Sequence, residues 1–144
     1  MKKIAAILCG ALVATSAVCS ATVAPDTIGI GKVTPGMSTS RLTSLCGKPV
    51  SKHGDDWIYS NFKVEIEKNK VQEIETQNTT APTPLGVTVG QNVSVLSETY
   101  GTADRVESEW NEEEYEYYSH DYSMKIEFKV HNGYMTKIIC EMQD

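Results

Sequence analysis

The residues best suited to chemistry lie between positions 107 and 121, where Glu107, Glu109, Glu112, Glu113, Glu114 and Glu116 surround Trp110, Tyr115, Tyr117 and Tyr118. Carboxylates at this density can solvate a hairpin, meet a basic partner beside aromatic anchors, or converge on a hard cation. Calcium wants about six to eight convergent oxygens, and the alternating, glycine-containing EF-hand loop is absent from this sequence. Catalysis finds less support. His53, His120 and His131 show no His-Glu-x-x-His spacing. No Gly-x-Ser-x-Gly elbow, phosphate-binding glycine loop or Cys-x-x-Cys pair occurs. The expectation is a non-catalytic protein with no cofactor and no resident metal. A calcium or small-ligand site on the acidic hairpin is the alternative.

Strand alternation sorts the aromatics. Tyr118 shares a face with Glu114 and Glu116 and is the better candidate for solvent exposure, whereas Tyr115 and Tyr117 share the opposite face, which leaves a place in the core open to them. Trp57 and Tyr59 hold a similar place earlier in the chain. The expected binding set is Trp57, Tyr59, Trp110, Tyr115, Tyr117 and Tyr118 with Glu112, Glu113 and Glu114, its aromatics lining one continuous surface. The hairpin tip is expected at residues 111–113.

The chain has 144 residues, 40% hydrophobic and 22% charged, with net charge −6. That suits one domain or two very small ones and speaks against wholesale disorder. Acidity argues against nucleic acid as a partner, since phosphate binding needs a basic stripe. The charge is uneven: residues 22–81 hold seven basic and seven acidic groups, residues 82–144 four and twelve. A partner with a basic surface fits that asymmetry.

Lys2 and Lys3 precede an apolar run over residues 4–18, and Cys19-Ser20-Ala21 offers small residues for cleavage after Ala21. This order reads as a signal peptide over residues 1–21, too short to span a membrane. Cys19 raises the rival of a lipid anchor. The bacterial lipobox it resembles wants Gly, Ala or Ser before the cysteine, and this chain has Val18. Export without a lipid, to a periplasmic or extracellular space, is therefore expected. Cleavage would leave Cys46 and Cys140 in a compartment that permits disulfides, and a bridge between them is expected in preference to two free thiols. Closing so long a loop would contribute roughly 4–5 kcal/mol in the chain-entropy model.

The chain also repeats itself. Gly36, Ser38, Ser40, Leu42 and Gly47 recur 54 positions later as Gly90, Asn92, Ser94, Leu96 and Gly101. Each block reads as a short helix, capped at the start by Ser38 or Asn92 and ended by a left-handed glycine, with Pro49 blocking resumption in the first. Two turns of helix cannot stand alone. The support follows in both copies as alternating strands, at residues 62–67 and 122–130, with turn signals at Asn69-Lys70 and Asn132-Gly133. The predicted fold is α+β: two tandem copies of a helical segment followed by an antiparallel meander. They cover residues 28–78 and 85–142, joined by a stiff polar linker at 79–84. Each copy is too small for an independent core, so the two are expected to pack together in a monomer.

A Gly-Met, short-helix, Leu45-Cys46-Gly47-Lys48-Pro49 block followed by an aromatic strand and a meander resembles the SmpA/OmlA-like envelope lipoproteins. These share a helix-plus-sheet fold with the β-lactamase-inhibitor-protein-like family, which carries the unit twice. The resemblance covers residues 28–142. It implies an exported protein-binding module, an inhibitor or assembly factor, whose partner is an envelope protein or a cell-wall enzyme. In that inhibitor family disulfides lie within a copy, whereas Cys46 and Cys140 would join the two.

Overall fold

A computed structural model describes residues 22–144. The expected signal peptide and the Cys19 anchor lie outside the described residues. No described helix is long and apolar enough to cross a membrane.

Two helices form where the glycine-bounded blocks predict them. Helix α1 spans Thr39–Cys46; the Ser38 hydroxyl accepts from Arg41 N at 3.2 Å, and Gly47, at φ 75°, ends it. Helix α2 spans Ser94–Thr99, with the Asn92 Oδ1 accepting from Ser94 N at 3.0 Å and Gly101 at φ 80° just beyond its end. A side-chain acceptor satisfies an orphan amide in each first turn. Leu42 and Leu96 point from the helices into the core and are fully shielded from solvent. Without that burial helices this short would not persist.

Eight strands make one antiparallel sheet. They are β1 (Ser51–His53), β2 (Asp56–Ile58), β3 (Lys63–Glu67), β4 (Lys70–Thr76), β5 (Arg105–Glu109), β6 (Glu112–Tyr118), β7 (Met124–His131) and β8 (Tyr134–Met142). Their order is β1-β2-β3-β4-β8-β7-β6-β5. Two four-stranded meanders therefore meet at the β4–β8 pair, whose register sets Ile74 opposite Cys140. Lys68 and Asn69 in one turn, and Asn132 and Gly133 in another, all take positive φ. Consecutive left-handed residues match the twist of tight hairpins. The tip of the acidic hairpin falls at Trp110 and Asn111, earlier than the pattern suggested, and Glu112 and Glu113 belong to β6.

One face of the sheet carries Val64, Ile74, Tyr117, Ile126, Phe128, Val130, Ile138 and Cys140, all buried in a single apolar cluster with Leu42 and Leu96. The chain before α1 and the stretch between β4 and α2 complete that cluster with Ile28, Ile30, Val33, Ala81 and Val87. Residues 79–84, expected as a stiff polar linker, contribute the buried Ala81 and Thr83, and the Pro82 carbonyl accepts from Gly31 N at 2.6 Å.

The expected Cys46–Cys140 bridge does not form: both thiols are free. Cys140 lies on a central strand, buried against the Gly29 backbone, whereas Cys46 sits in the last turn of α1. Cys46 lines a cavity of about 210 Å³ with Ile30, Leu45, Phe62 and Ala81. Burial pushes both thiols above their ordinary pKa, which favours the inert protonated form.

Candidate functional site

Alternation along eight strands puts every second side chain on the other face of the sheet, which no described helix covers. Register sorts that face into rows. One row runs across Asp56 of β2, Glu65 of β3, Glu73 of β4, Glu141 of β8 and Lys125 of β7 to Tyr118 of β6. The next runs through Ile58, Lys63, Glu75, Ile139, Glu127, Glu116 and Arg105. Ile139 is thus a half-buried aliphatic side chain at the seam of the two meanders, set among ionised groups.

Most of these charges are paired. Lys63 reaches Glu75 at 3.0 Å and Asp56 at 3.9 Å, and Lys137 reaches Glu75 at 2.8 Å. Lys63 and Lys137 together hold the Glu75 carboxyl below its ordinary pKa, against the opposing effect of its own burial. Lys125 lies 3.0 Å from Glu141, 3.6 Å from Glu116 and 3.7 Å from Glu127. Burial works against the Lys125 charge, but the hydrogen bond to Glu141 and the surrounding carboxylates hold its pKa above the usual lysine value. Lys129 reaches Glu114 at 3.1 Å and Glu112 at 3.8 Å.

Glu65 and Glu73 are different. Among the described residues neither has an ion-pair partner within 4.0 Å, although they stand directly opposite one another and Glu73 also faces Glu141. Burial, and then the charges of Glu75, Glu141 and Glu65, push the Glu73 carboxyl above its ordinary pKa. Like charges set opposite one another on adjacent strands destabilise a sheet.

Glu114, Glu116 and Glu127 each bring a carboxylate oxygen within 4.8 Å of the others, the one grouping among the described residues with a cation's geometry. Burial, and then the Glu114 charge, raise the Glu127 pKa. Two ammonium groups already serve this grouping, Lys125 at Glu116 and Glu127 and Lys129 at Glu114. They supply the charge that a bound calcium ion would otherwise bring.

The aromatics do not form one surface. Tyr59 and Tyr117, expected on the binding face, are core residues on the helix side, because their position in the alternation points them at the chain ends of α1 and α2. Tyr59 stacks on Phe62 at 4.7 Å between centroids. Trp57 is half-buried on the same side under Lys52, whose Nζ lies 3.9 Å from the ring centroid. The Tyr115 hydroxyl donates to Glu113 at 2.7 Å, and both residues also lie on the helix side. Tyr118 takes the uncovered face but is half-buried there, donating to Glu116 at 3.3 Å and packing against Tyr122. Trp110 is 98% exposed at the hairpin tip. Glu112 and Glu114 face the same way as Tyr118.

The histidines do not converge. His53 ends β1, His120 donates to the Thr22 carbonyl at 2.7 Å, and His131 donates to the Asn111 carbonyl at 3.0 Å. The residues that sequence reasoning missed are Ile139 and the pair Glu65 and Glu73. One signal was available: the unbroken apolar run Ile138-Ile139-Cys140 places an aliphatic residue on the polar face of any strand through it.

No protein-family model matches the chain, and no curated protein matches its sequence. Solved structures do match its shape. A DUF4309 family protein (YjgB) from Bacillus subtilis aligns with a TM-score of 0.50 and 15% identity, over 74% of this chain and 78% of that one. An extracellular protein containing a SCP domain from Bacillus anthracis aligns with a TM-score of 0.51 and 9% identity, over 87% of this chain and 47% of that one. This chain spans about half the length of the second protein. A Streptococcus mutans protein provisionally named a beta-lactamase inhibitor protein aligns at a TM-score of 0.31 and 16% identity, over 79% of this chain and 90% of that one, too loosely to carry weight. At these identities the first two likenesses establish the fold alone.

Proposed function

We propose that this chain is an exported, non-catalytic module that binds another protein through the uncovered face of its sheet. The observation that carries the reading is the row of directly opposed carboxylates Asp56, Glu65, Glu73 and Glu141 across four adjacent strands. Lys63 and Lys125 balance the outer members Asp56 and Glu141, while Glu65 and Glu73 at the centre of the row have no ion-pair partner among the described residues and Glu73 is strained electrostatically. A like-charge pair left without an ion-pair partner at the centre of the sheet marks a surface kept for something outside the fold. A basic partner would relieve the repulsion, and Ile139 beside the row supplies an apolar contact at its centre.

The same reading treats the chain as two copies of one ancestral unit. Supporting it, Gly36 N donates to the Val71 carbonyl at 2.7 Å and Val71 N to Met37 at 2.8 Å; Gly90 N donates to Met135 at 2.8 Å and Met135 N to Gln91 at 2.9 Å. Doubling the unit doubles the width of the docking face while keeping a single core. The partner is a secreted or envelope protein with a basic surface, and the module acts on it as an inhibitor or assembly factor, as a monomer.

The test is affinity capture from the producing cell's extracellular and envelope fractions, with residues 22–144 as bait beside an Ile139→Arg, Glu73→Lys double variant. A protein retained by the first bait and lost, at low salt, from the second supports the reading. Equal recovery on both baits rejects it.

A further inference from the structure

The two edges of the sheet are unequal. At one end β1 has three residues, follows Pro49, and carries Lys52 folded over Trp57. Short strands with lysine or proline resist pairing. At the other end β5 runs for five residues, all exposed, and contains neither lysine nor proline. Its inner side pairs with β6 from Arg105 opposite Glu116 to Glu109 opposite Glu112. Alternate peptide groups on its outer side therefore have no partner strand among the described residues.

The two faces of β5 differ in what they offer beside that edge. On the helix side Val106 is half exposed and borders a groove of about 390 Å³ shared with Val93, Ser97, Ala103 and Tyr115. On the other side stand Arg105, Glu107 and Glu109. Arg105 pairs with Glu107, and Glu109 has no ion pair among the described residues. Behind them Glu112 and Glu114 on β6 share the single ammonium of Lys129, so the side stays net negative.

We propose that β5 is a strand-addition site for an extended basic segment of the partner, pairing main chain to main chain at this edge. The inference rests on the protein-binding reading above and names the chemistry of its partner. An added strand would place every second side chain on the acidic side, beside Glu107 and Glu109, and the others over the mouth of the Val106 groove. Main-chain hydrogen bonds give such complexes their affinity, and alternate side chains give their specificity. The segment is therefore an alternation of lysine or arginine with small apolar residues. Two β5 strands paired antiparallel about their centres would set Glu107 against Glu107 but Arg105 against Glu109 twice, so a second copy is kept as an outcome of the test. Trp110, at φ 55° and open to solvent immediately after β5, lies where an added strand would run past it.

The test uses a capped seven-residue peptide alternating lysine with valine or threonine, and a matched peptide with glutamate for lysine. Trp110 fluorescence reports binding, and amide hydrogen exchange across residues 105–109 reports where. The expected result is saturable binding of the basic peptide alone. Amides of β5 should gain protection, and affinity should fall about tenfold or more in Glu107→Lys and in Val106→Lys. Far-ultraviolet circular dichroism verifies that both variants stay folded. No binding of the basic peptide, equal binding of the acidic one, or affinity unchanged by both variants would overturn the proposal. So would a concentration-dependent dimer abolished by Val106→Lys, since the occupant would then be a second copy. If capture depends on Ile139 and Glu73 while the β5 variants bind normally, the docking face stands and this edge site falls.

Discussion

The Tyr117 hydroxyl donates to the Gly101 carbonyl at 3.0 Å, tying β6 to the end of α2. Tyr59 does the same for α1, donating to the Gly47 carbonyl at 3.0 Å. A helix of about two turns leaves its last carbonyls without intrahelical partners, and the left-handed glycine alone does not satisfy them. Each tyrosine instead bonds the glycine carbonyl just past the helix, fixing the chain's exit to the sheet below. Burial pushes the Tyr117 pKa up to about 12, so the hydroxyl keeps its proton throughout the physiological range. Tyr117→Phe should cost about 0.5–1.5 kcal/mol in urea unfolding, with the m-value unchanged. Tyr59→Phe should cost a similar amount, since it removes the same bond. A loss in one variant and none in the other would show that the two ties are not equivalent.

Glu73 should be a residue whose removal stabilises the protein. It faces Glu65 on one side and Glu141 on the other, and its folded pKa is raised. A carboxyl with a raised folded pKa makes the native state bind its proton more tightly than the unfolded chain does. Its ionised form therefore costs stability at neutral pH, and that cost fades as pH falls through the folded pKa. Glu73→Gln should gain a few tenths to about 1 kcal/mol at pH 7. The gain should shrink toward zero as pH approaches the ordinary carboxylate range. Chemical denaturation at a series of pH values measures it, and a variant less stable than the parent at pH 7 would contradict the electrostatic account of the row.

Periodicity made most of the secondary structure legible. The alternation at Val64 and at Ile126, Phe128 and Val130 reports a half-buried sheet directly, and the Ser38 cap marks the start of α1, whereas α2 starts one residue later than Asn92 suggested, with Val93 at the cap position. Strand order was a different matter. Whether β4 meets β8 or β5 depends on long-range packing that leaves no local trace, so the opposition of Glu73 and Glu141 could not be seen in the sequence. The alternation of β6 put Tyr118 and Tyr117 on opposite faces, but it did not say that Tyr117 and Tyr59 would be drawn under the helix ends. Trp110 was expected near the tip, yet its full exposure follows from a left-handed backbone that only the folded hairpin reveals. The cysteine expectation failed because compartment and count say nothing of where a side chain points. Cys140 faces the core against Gly29, and Cys46 faces the cavity by Phe62.

Thiol titration checks that correction. Non-reduced protein comprising residues 22–144 should contain two reactive thiols once unfolded, from Cys46 and Cys140. In the native state Cys46 should react slowly and Cys140 not at all on the same timescale, since both thiols are buried to differing degrees and both are raised in pKa. Cys140→Ala should cost about 1–3 kcal/mol by leaving a small void among Ile74, Ile126 and Ile138. Cys46→Ala should cost less, because that site already borders a cavity. An absence of free thiols in the unfolded, non-reduced protein would restore the disulfide.

Lys125 separates an ion-pair network from a cation site. Its ammonium lies within 4.0 Å of Glu116, Glu127 and Glu141, and the side chains of Lys125, Glu116 and Glu127 are 14%, 8% and 12% exposed. Lys125→Met keeps the aliphatic stem and removes the charge, leaving partly desolvated carboxylates without their partner. The variant should lose about 1–3 kcal/mol at neutral pH. The loss should diminish in acid, where the carboxylates protonate. Glu114, Glu116 and Glu127 would then have a cation's geometry with one resident charge removed. Millimolar calcium should accordingly raise the melting temperature of Lys125→Met and leave the parent unchanged. A saturable calcium response in the parent, lost on neutralising Glu114 and Glu127, would mean that the lysine does not occupy the site's charge and that the hairpin binds a metal after all.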